Sequence, residues 1–192
     1  MQDHEFPLSQ TRSNKSKDVS PKEIVWKNKL AEVGRWKDIQ GTLIENGIKE
    51  TVAVLNLLGL PTIYSCEGHA DVPGILTPWV RIMSNSKGKE KLQENQQLLK
   101  RLKNLVEEFY LKKTPDRKAF MRIALVKDII LMDAGDDEQY EADRAKFVVG
   151  PDEPTMDNVT PEQMSERKKV LILRQEEMTV FTEFMKKKFF AD

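Results

Sequence analysis

The chain is short of the residues that most often announce a chemistry. It holds one cysteine, Cys66, and two histidines, His4 and His69. A single cysteine cannot close an internal disulfide, so Cys66 is read as reduced and a cytoplasmic location is the expectation. Nor do one cysteine and two histidines suffice for a structural zinc centre, which wants four nitrogen or sulfur ligands. No apolar run approaches the roughly 20 residues needed to cross a bilayer, and Met1 to Ser20 lacks the apolar core of a signal peptide. Net charge is missing too, because 31 basic residues balance 31 acidic ones. No global field therefore draws in nucleic acid or an anionic membrane.

What is present describes one domain with an appended tail. The 192 residues are 39% hydrophobic and 32% charged, enough to bury a real core beneath a charged surface. Residues 1–19 offer only Phe6, Leu8 and Val19 to bury, so they read as a flexible tail preceding a domain over 20–192. Ser20, Pro21 and Glu23 start a first helix by three agreeing signals: a cap, a first-turn proline and a capping-box glutamate. The spacing of Ile44, Ile48, Val52, Leu55 and Leu58 predicts a second helix from Thr42 to about Leu58, with Gly59 as its stop.

Beyond Pro61 the pattern changes. Thr62 to Ser65 and Trp79 to Ser84 read as strands. Lys87 to about Lys112 reads as a long amphipathic helix on Leu92, Leu99, Leu102 and Phe109. Met121–Val126, Ile129–Met132 and Lys146–Val149 read as further strands. The acidic run Asp133 to Glu138 lacks calcium-loop spacing and reads as a solvated turn. Thr160, Pro161 and Gln163 open a last helix whose apolar face carries Leu173, Phe181, Phe184 and Phe189; its terminal lysines suit the negative helix end. The expected class is α+β: a mostly antiparallel sheet of about five strands packed with amphipathic helices.

One stretch is chemically dense. Thr62 to Asp71 contains Ser65, Cys66, Glu67, Gly68, His69 and Asp71 on a loop between two strands, where functional groups are commonly presented. Cys66 would serve as nucleophile or ligand if His69 or Arg81 supplied positive charge; otherwise it is a small buried residue. His69 is the candidate base or ligand, against a histidine whose hydrogen bond holds the loop; Glu67 or Asp71 would orient it or bind a substrate hydroxyl, against the plainer role of solvated loop carboxylates. Gly68 permits a positive φ and lets neighbouring N–H groups converge on an anion. Trp79 and Arg81 are candidates for stacking on and positioning a polar ligand, against the plainer role of strand residues. An open three-ligand metal site of Cys66, His69 and Asp71 is the minor reading, so no metal is assigned.

The run Leu55-Asn56-Leu57-Leu58-Gly59, then Thr62, then Ser65-Cys66-Glu67-Gly68-His69, then Pro78-Trp79-Val80 resembles a group of small uncharacterised bacterial and phage proteins. These share a Ser-Cys-x-Gly-His motif after a helix and a strand. More distantly, Ser65, Cys66, Gly68 and Trp79 are similar to a motif of the tRNA wybutosine-synthesising methyltransferase family, with His69 where that family usually has arginine. That second resemblance implies S-adenosylmethionine and tRNA as ligands. Two functions follow as expectations. One is a small enzyme acting on a polar or nucleotide-like ligand at the Ser65–Asp71 loop. The other is a binding or adaptor protein, open to homo-oligomerisation, that uses its tail and amphipathic helices.

Overall fold

The computed structural model describes residues 19–37, 41–71, 76–84, 86, 88–113, 121–125, 129–133 and 159–191. Helix α1 covers Pro21–Val33, and the Ser20 side chain accepts the Glu23 N–H at 3.2 Å, as its sequence signals predict. Helix α2 is shorter than expected, Lys49–Leu57 rather than Thr42 onward. Its end is a two-bond glycine cap: Leu60 N donates to Leu55 O at 2.9 Å and Gly59 N to Asn56 O at 3.0 Å. Gly59 carries φ +69°, the conformation that favours glycine at this position.

Strand β1 (Thr62–Cys66) follows at once and pairs antiparallel with β2 (Trp79–Ile82). The helix-to-strand turn is tied by Asn56 Nδ2, which donates to Thr62 Oγ1 at 2.7 Å. Helix α3 runs Gly88–Lys113, and β3 (Met121–Leu125) and β4 (Ile129–Asp133) form an antiparallel pair. Strand β4 also pairs with β2, giving the order β1-β2-β4-β3. The last helix, α4, spans Pro161–Ala191 and opens with a full capping box between Thr160 and Gln163.

The expected sheet of about five strands is overturned. Among the described residues there are four strands of four or five residues, while α3 and α4 alone run to 26 and 31. The reason is where the apolar side chains lie. The helices supply most of the core, including Val52, Leu55, Leu102, Phe109, Phe181 and Met185, and the sheet adds Val80, Ile82 and Leu131. Helices and strands are both present, but the helical layer dominates. The expected strand Lys146–Val149, the residues after Asp133 in the acidic run and the tail up to residue 18 lie outside the described residues.

Two features of the core position the site. Phe109 of α3 meets Phe181 of α4 edge-to-face at 5.1 Å, which fixes α4 against the long helix. Next to it, the Thr182 hydroxyl donates to Met178 O at 2.8 Å and so accepts from Thr51 Oγ1 of α2 at 2.7 Å. That buried polar contact sets α2 against α4. Leu173, expected on the apolar face, is instead 65% exposed, because the inward row of α4 runs through Arg174, Met178, Phe181 and Met185. No helix among the described residues is long and apolar enough to cross a membrane.

Candidate functional site

The end of β1 places Cys66 directly opposite Trp79, with Ser65 opposite Val80 and Tyr64 opposite Arg81. The chain then leaves the strand through Glu67, Gly68 and His69. Gly68 has φ +84°, and an added Cβ would lie 2.8 Å from Leu171 Cδ1 and 3.1 Å from both Leu76 O and Pro78 N. Glycine is needed here for backbone conformation and for space. The resulting turn aims the Gly68 N–H at Cys66 Sγ, 3.3 Å away.

The partner of this loop is a residue the sequence reading passed over. Glu45 Oε2 accepts the Glu67 N–H at 2.7 Å, and its other oxygen lies 2.6 Å from His69 Nε2. Glu67 returns the contact, its Oε2 accepting the Gly47 N–H at 2.7 Å. Each segment's glutamate thus accepts a backbone N–H of the other segment, Glu45 that of Glu67 and Glu67 that of Gly47. Gly47 has no side chain because a Cβ there would sit 2.6 Å from Glu67 Oε2. This clasp explains why the expected helix from Thr42 does not form. The chain at Asn46–Ile48 turns instead, which releases Glu45 toward the loop.

The outcome is a cluster of one sulfur, one imidazole nitrogen and one carboxylate. The donor atoms of Glu45, Cys66 and His69 all lie within 4.8 Å of one another. Asp71, third ligand in the minor metal alternative, is exposed and is not part of it. The N–H groups expected to converge near Gly68 go to separate acceptors instead, Glu67 N to the Glu45 carboxylate and Gly68 N to the Cys66 sulfur. Burial pushes the Cys66 thiol from 9.0 up to about 12; the Gly68 N–H works against this, while the Glu45 and Glu67 carboxylates add to it. Cys66 without a bound metal is therefore a protonated thiol at neutral pH. His69 is held by Glu45, and the Arg81 guanidinium lies over the Tyr64 ring at 5.5 Å.

Helix α4 holds the loop from the other side. Gln175 Nε2 donates to Glu67 O at 3.0 Å and Arg167 Nε to Ala70 O at 2.8 Å. Buried Arg174 donates to buried Thr77, just ahead of β2. The N-terminal half of α4 thus presents polar side chains inward to the loop, and its C-terminal half presents Met178, Phe181 and Met185 to the core. No sequence signal for this was used, because polar residues on a long charged helix are ordinarily read as solvated.

Two clefts flank the cluster. The first, about 190 Å³, lies between Trp36, Leu43, Ile44 and Tyr64, and Glu45, Ser65 and Cys66 reach it. The second is an open groove of about 470 Å³ where Glu67, Gly68, His69 and Asp71 face Lys168, Leu171 and Gln175 of α4. Trp79 and Arg81 line neither cleft. The first cleft is smaller than the roughly 300–1,000 Å³ usual for drug-sized or cofactor-sized ligands. It suits a small polar molecule better than a nucleotide. No family model, curated protein or solved structure matches the chain.

Proposed function

We propose that the chain is a small enzyme acting on a small polar ligand, with the Glu45–Cys66–His69 cluster as its reactive end. One observation carries this reading: three reactive side-chain types from two separate segments lie within 4.8 Å beside a formed cleft. Backbone N–H groups hold the carboxylate and the sulfur in place, and preorganisation of that kind is what a working site needs. In this reading Tyr64, Trp36 and Leu43 grip the ligand and Ser65 offers it a hydroxyl. Glu45, which reaches this cleft and is held from behind by His69, meets its polar group. Glu67 is a positioning residue through its contact with Gly47.

The test is ligand-observed NMR screening of small polar compounds, paired with thermal melts. Leu43→Trp would fill the cleft at a half-exposed position, and His69→Ala would remove the imidazole. Binding should disappear in both variants while their melting midpoints stay near that of the parent. Unchanged binding in Leu43→Trp, or failure of His69→Ala to fold, would sink the reading. The adaptor alternative rests on the tail, whose residues up to 18 lie outside the described residues, and on the amphipathic helices, which spend Leu98, Leu102, Phe109, Phe181 and Met185 on the core; that use of their apolar faces favours the enzyme reading.

A further inference from the structure

We infer that Glu45, Cys66 and His69 form a zinc site with three protein ligands and a fourth position open to the cleft. This deepens the functional reading above and rests on it for the role of the cleft. The donor set is one thiolate sulfur, one imidazole nitrogen and one carboxylate oxygen. Sulfur disfavours magnesium and calcium, which take oxygen ligands, and a mixed S, N, O set suits zinc. Three protein ligands with one open position is the arrangement of catalytic rather than structural zinc.

The geometry is close to what the ion requires. With zinc bonds of about 2.0–2.3 Å, the donors of a tetrahedral site stand about 3.4–3.7 Å apart. Here all three lie within 4.8 Å, and His69 Nε2 and Glu45 Oε1 are 2.6 Å apart in a hydrogen bond. An entering ion would replace that proton-mediated contact, with side-chain shifts of about 1 Å. Charge also balances: Glu45 and a Cys66 thiolate carry two negative charges against the ion's two positive ones, with His69 neutral. Glu67 adds further negative potential from the neighbouring position.

The surrounding contacts are those that orient ligands around a metal. Glu67 N donates to the distal oxygen of Glu45, leaving Oε1 to face His69, and Gly68 N donates to the sulfur. Glu45 and Cys66 reach the first cleft and His69 the second, so the ion would sit in the wall between them. A water or substrate oxygen at the open position would then lie beside Tyr64 and Ser65. Metal-bound water and metal-polarised carbonyl or phosphoryl groups are the chemistries such a site supplies.

Cobalt is the probe, because its spectrum reports the ligand set. Chelator-treated full-length protein would be titrated with Co2+, and then with Zn2+ in competition. One equivalent of Co2+ should give visible bands of tetrahedral type and a near-ultraviolet thiolate charge-transfer band, and Zn2+ should abolish both. Cys66→Ser should remove the near-ultraviolet band, and Glu45→Gln and His69→Gln should each weaken binding at least tenfold. Asp71→Asn should bind as the parent does. Circular dichroism of each metal-free variant checks folding; if Cys66→Ser does not fold, His69→Gln carries the test. Absence of the charge-transfer band, its survival in Cys66→Ser, or equal weakening by Asp71→Asn would overturn the site. If no metal binds but the zinc-free protein still takes ligands in the cleft, this inference falls alone. If zinc binds and no ligand does, the small-ligand reading falls instead.

Discussion

Gly68→Ala separates backbone strain from crowding at the site. Three described glycines share a positive φ: Gly41 at +83°, Gly59 at +69° and Gly68 at +84°. Alanine at any of them incurs the left-handed penalty of about 1–2 kcal/mol. Their surroundings differ. A Cβ at Gly41 meets nothing within 4 Å, and at Gly59 it meets only the Arg101 guanidinium at 3.1 Å, a flexible side-chain end. At Gly68 the Leu171 methyl is 2.8 Å away, and backbone atoms of Leu76 and Pro78 close the space at 3.1 Å. Overpacking against groups that cannot yield adds about 1–3 kcal/mol. Gly68→Ala should then cost about 2–5 kcal/mol in total, against about 1–2 for Gly41→Ala. At about 2–4 °C per kcal/mol for a chain of this size, the melting midpoint should fall by roughly 4–20 °C, against about 2–8 °C for Gly41→Ala. The assay is thermal and urea unfolding followed by circular dichroism. Adding Leu171→Ala to Gly68→Ala should return part of the loss, since it removes the nearest atom. Equal costs for Gly68→Ala and Gly41→Ala would refute the packing of this loop against α4, and with it the placement of the Gly68 N–H on Cys66.

Cys66 in metal-free protein should resist alkylation at pH 8. With the thiol at about 12 rather than 9.0, the thiolate fraction falls from about one in ten to about one in ten thousand, so native labelling should run about a thousandfold slower than in denaturant. The rate should keep rising with pH well above 9, and a plateau near neutrality would contradict the burial of the sulfur. Because folding raises this thiol, its contribution to stability is intact below 9.0 and declines as pH climbs toward 12; urea midpoints across that range check the sign. Thr182→Val leaves the buried Thr51 hydroxyl without its acceptor and should cost about 1–3 kcal/mol, whereas the Thr51→Val, Thr182→Val double variant should recover part of it. Phe181→Ala empties the centre of the aromatic cluster and should cost about 3–5 kcal/mol in urea unfolding; under 1 kcal/mol would mean that α4 does not pack as described.

Local signals in the sequence translated directly into structure. Ser20, Thr160 and Gln163 cap where their spacing says, and Gly59 ends α2 with the expected positive φ. The strands around the Ser65–Asp71 loop and the long helix from Gly88 fall within a few residues of their expected bounds. These are decided by neighbours within one turn or one pleat, which a sequence exposes. Glu45 was not legible for the opposite reason. Ile44, Ile48 and Val52 fit a helical period, and the choice of a turn over a helix at Gly47 depends on Glu67, twenty residues away. The polar clamp of Arg167, Arg174 and Gln175 was hidden similarly, since periodicity reports which residues are apolar and not which polar ones are buried. The loop between its two strands was visible in the sequence, but Glu45, which the structure brings against it, was not.

The same non-local contacts set this cluster apart from plain core packing. A buried sulfur needs no carboxylate beside it to fill space, and the Glu45 carboxylate instead holds the Cys66 thiol in its protonated form. Yet Glu45 is brought there by an interrupted helix, two glycines and a reciprocal glutamate contact, all of which a plain apolar filling would make unnecessary. Thr51, Val52 and Leu55 of α2 show how the fold fills space when space is all that matters: apolar side chains, with one hydroxyl satisfied by Thr182. The loop does the reverse, gathering groups that want a proton, a cation or a substrate between them. His69 supplies part of that need through its hydrogen bond to Glu45, and the thiol takes the Gly68 N–H on one side and the Glu45 carboxylate on the other. An occupant of positive charge placed among the three would take over the thiol proton's place and engage the carboxylate and the sulfur together.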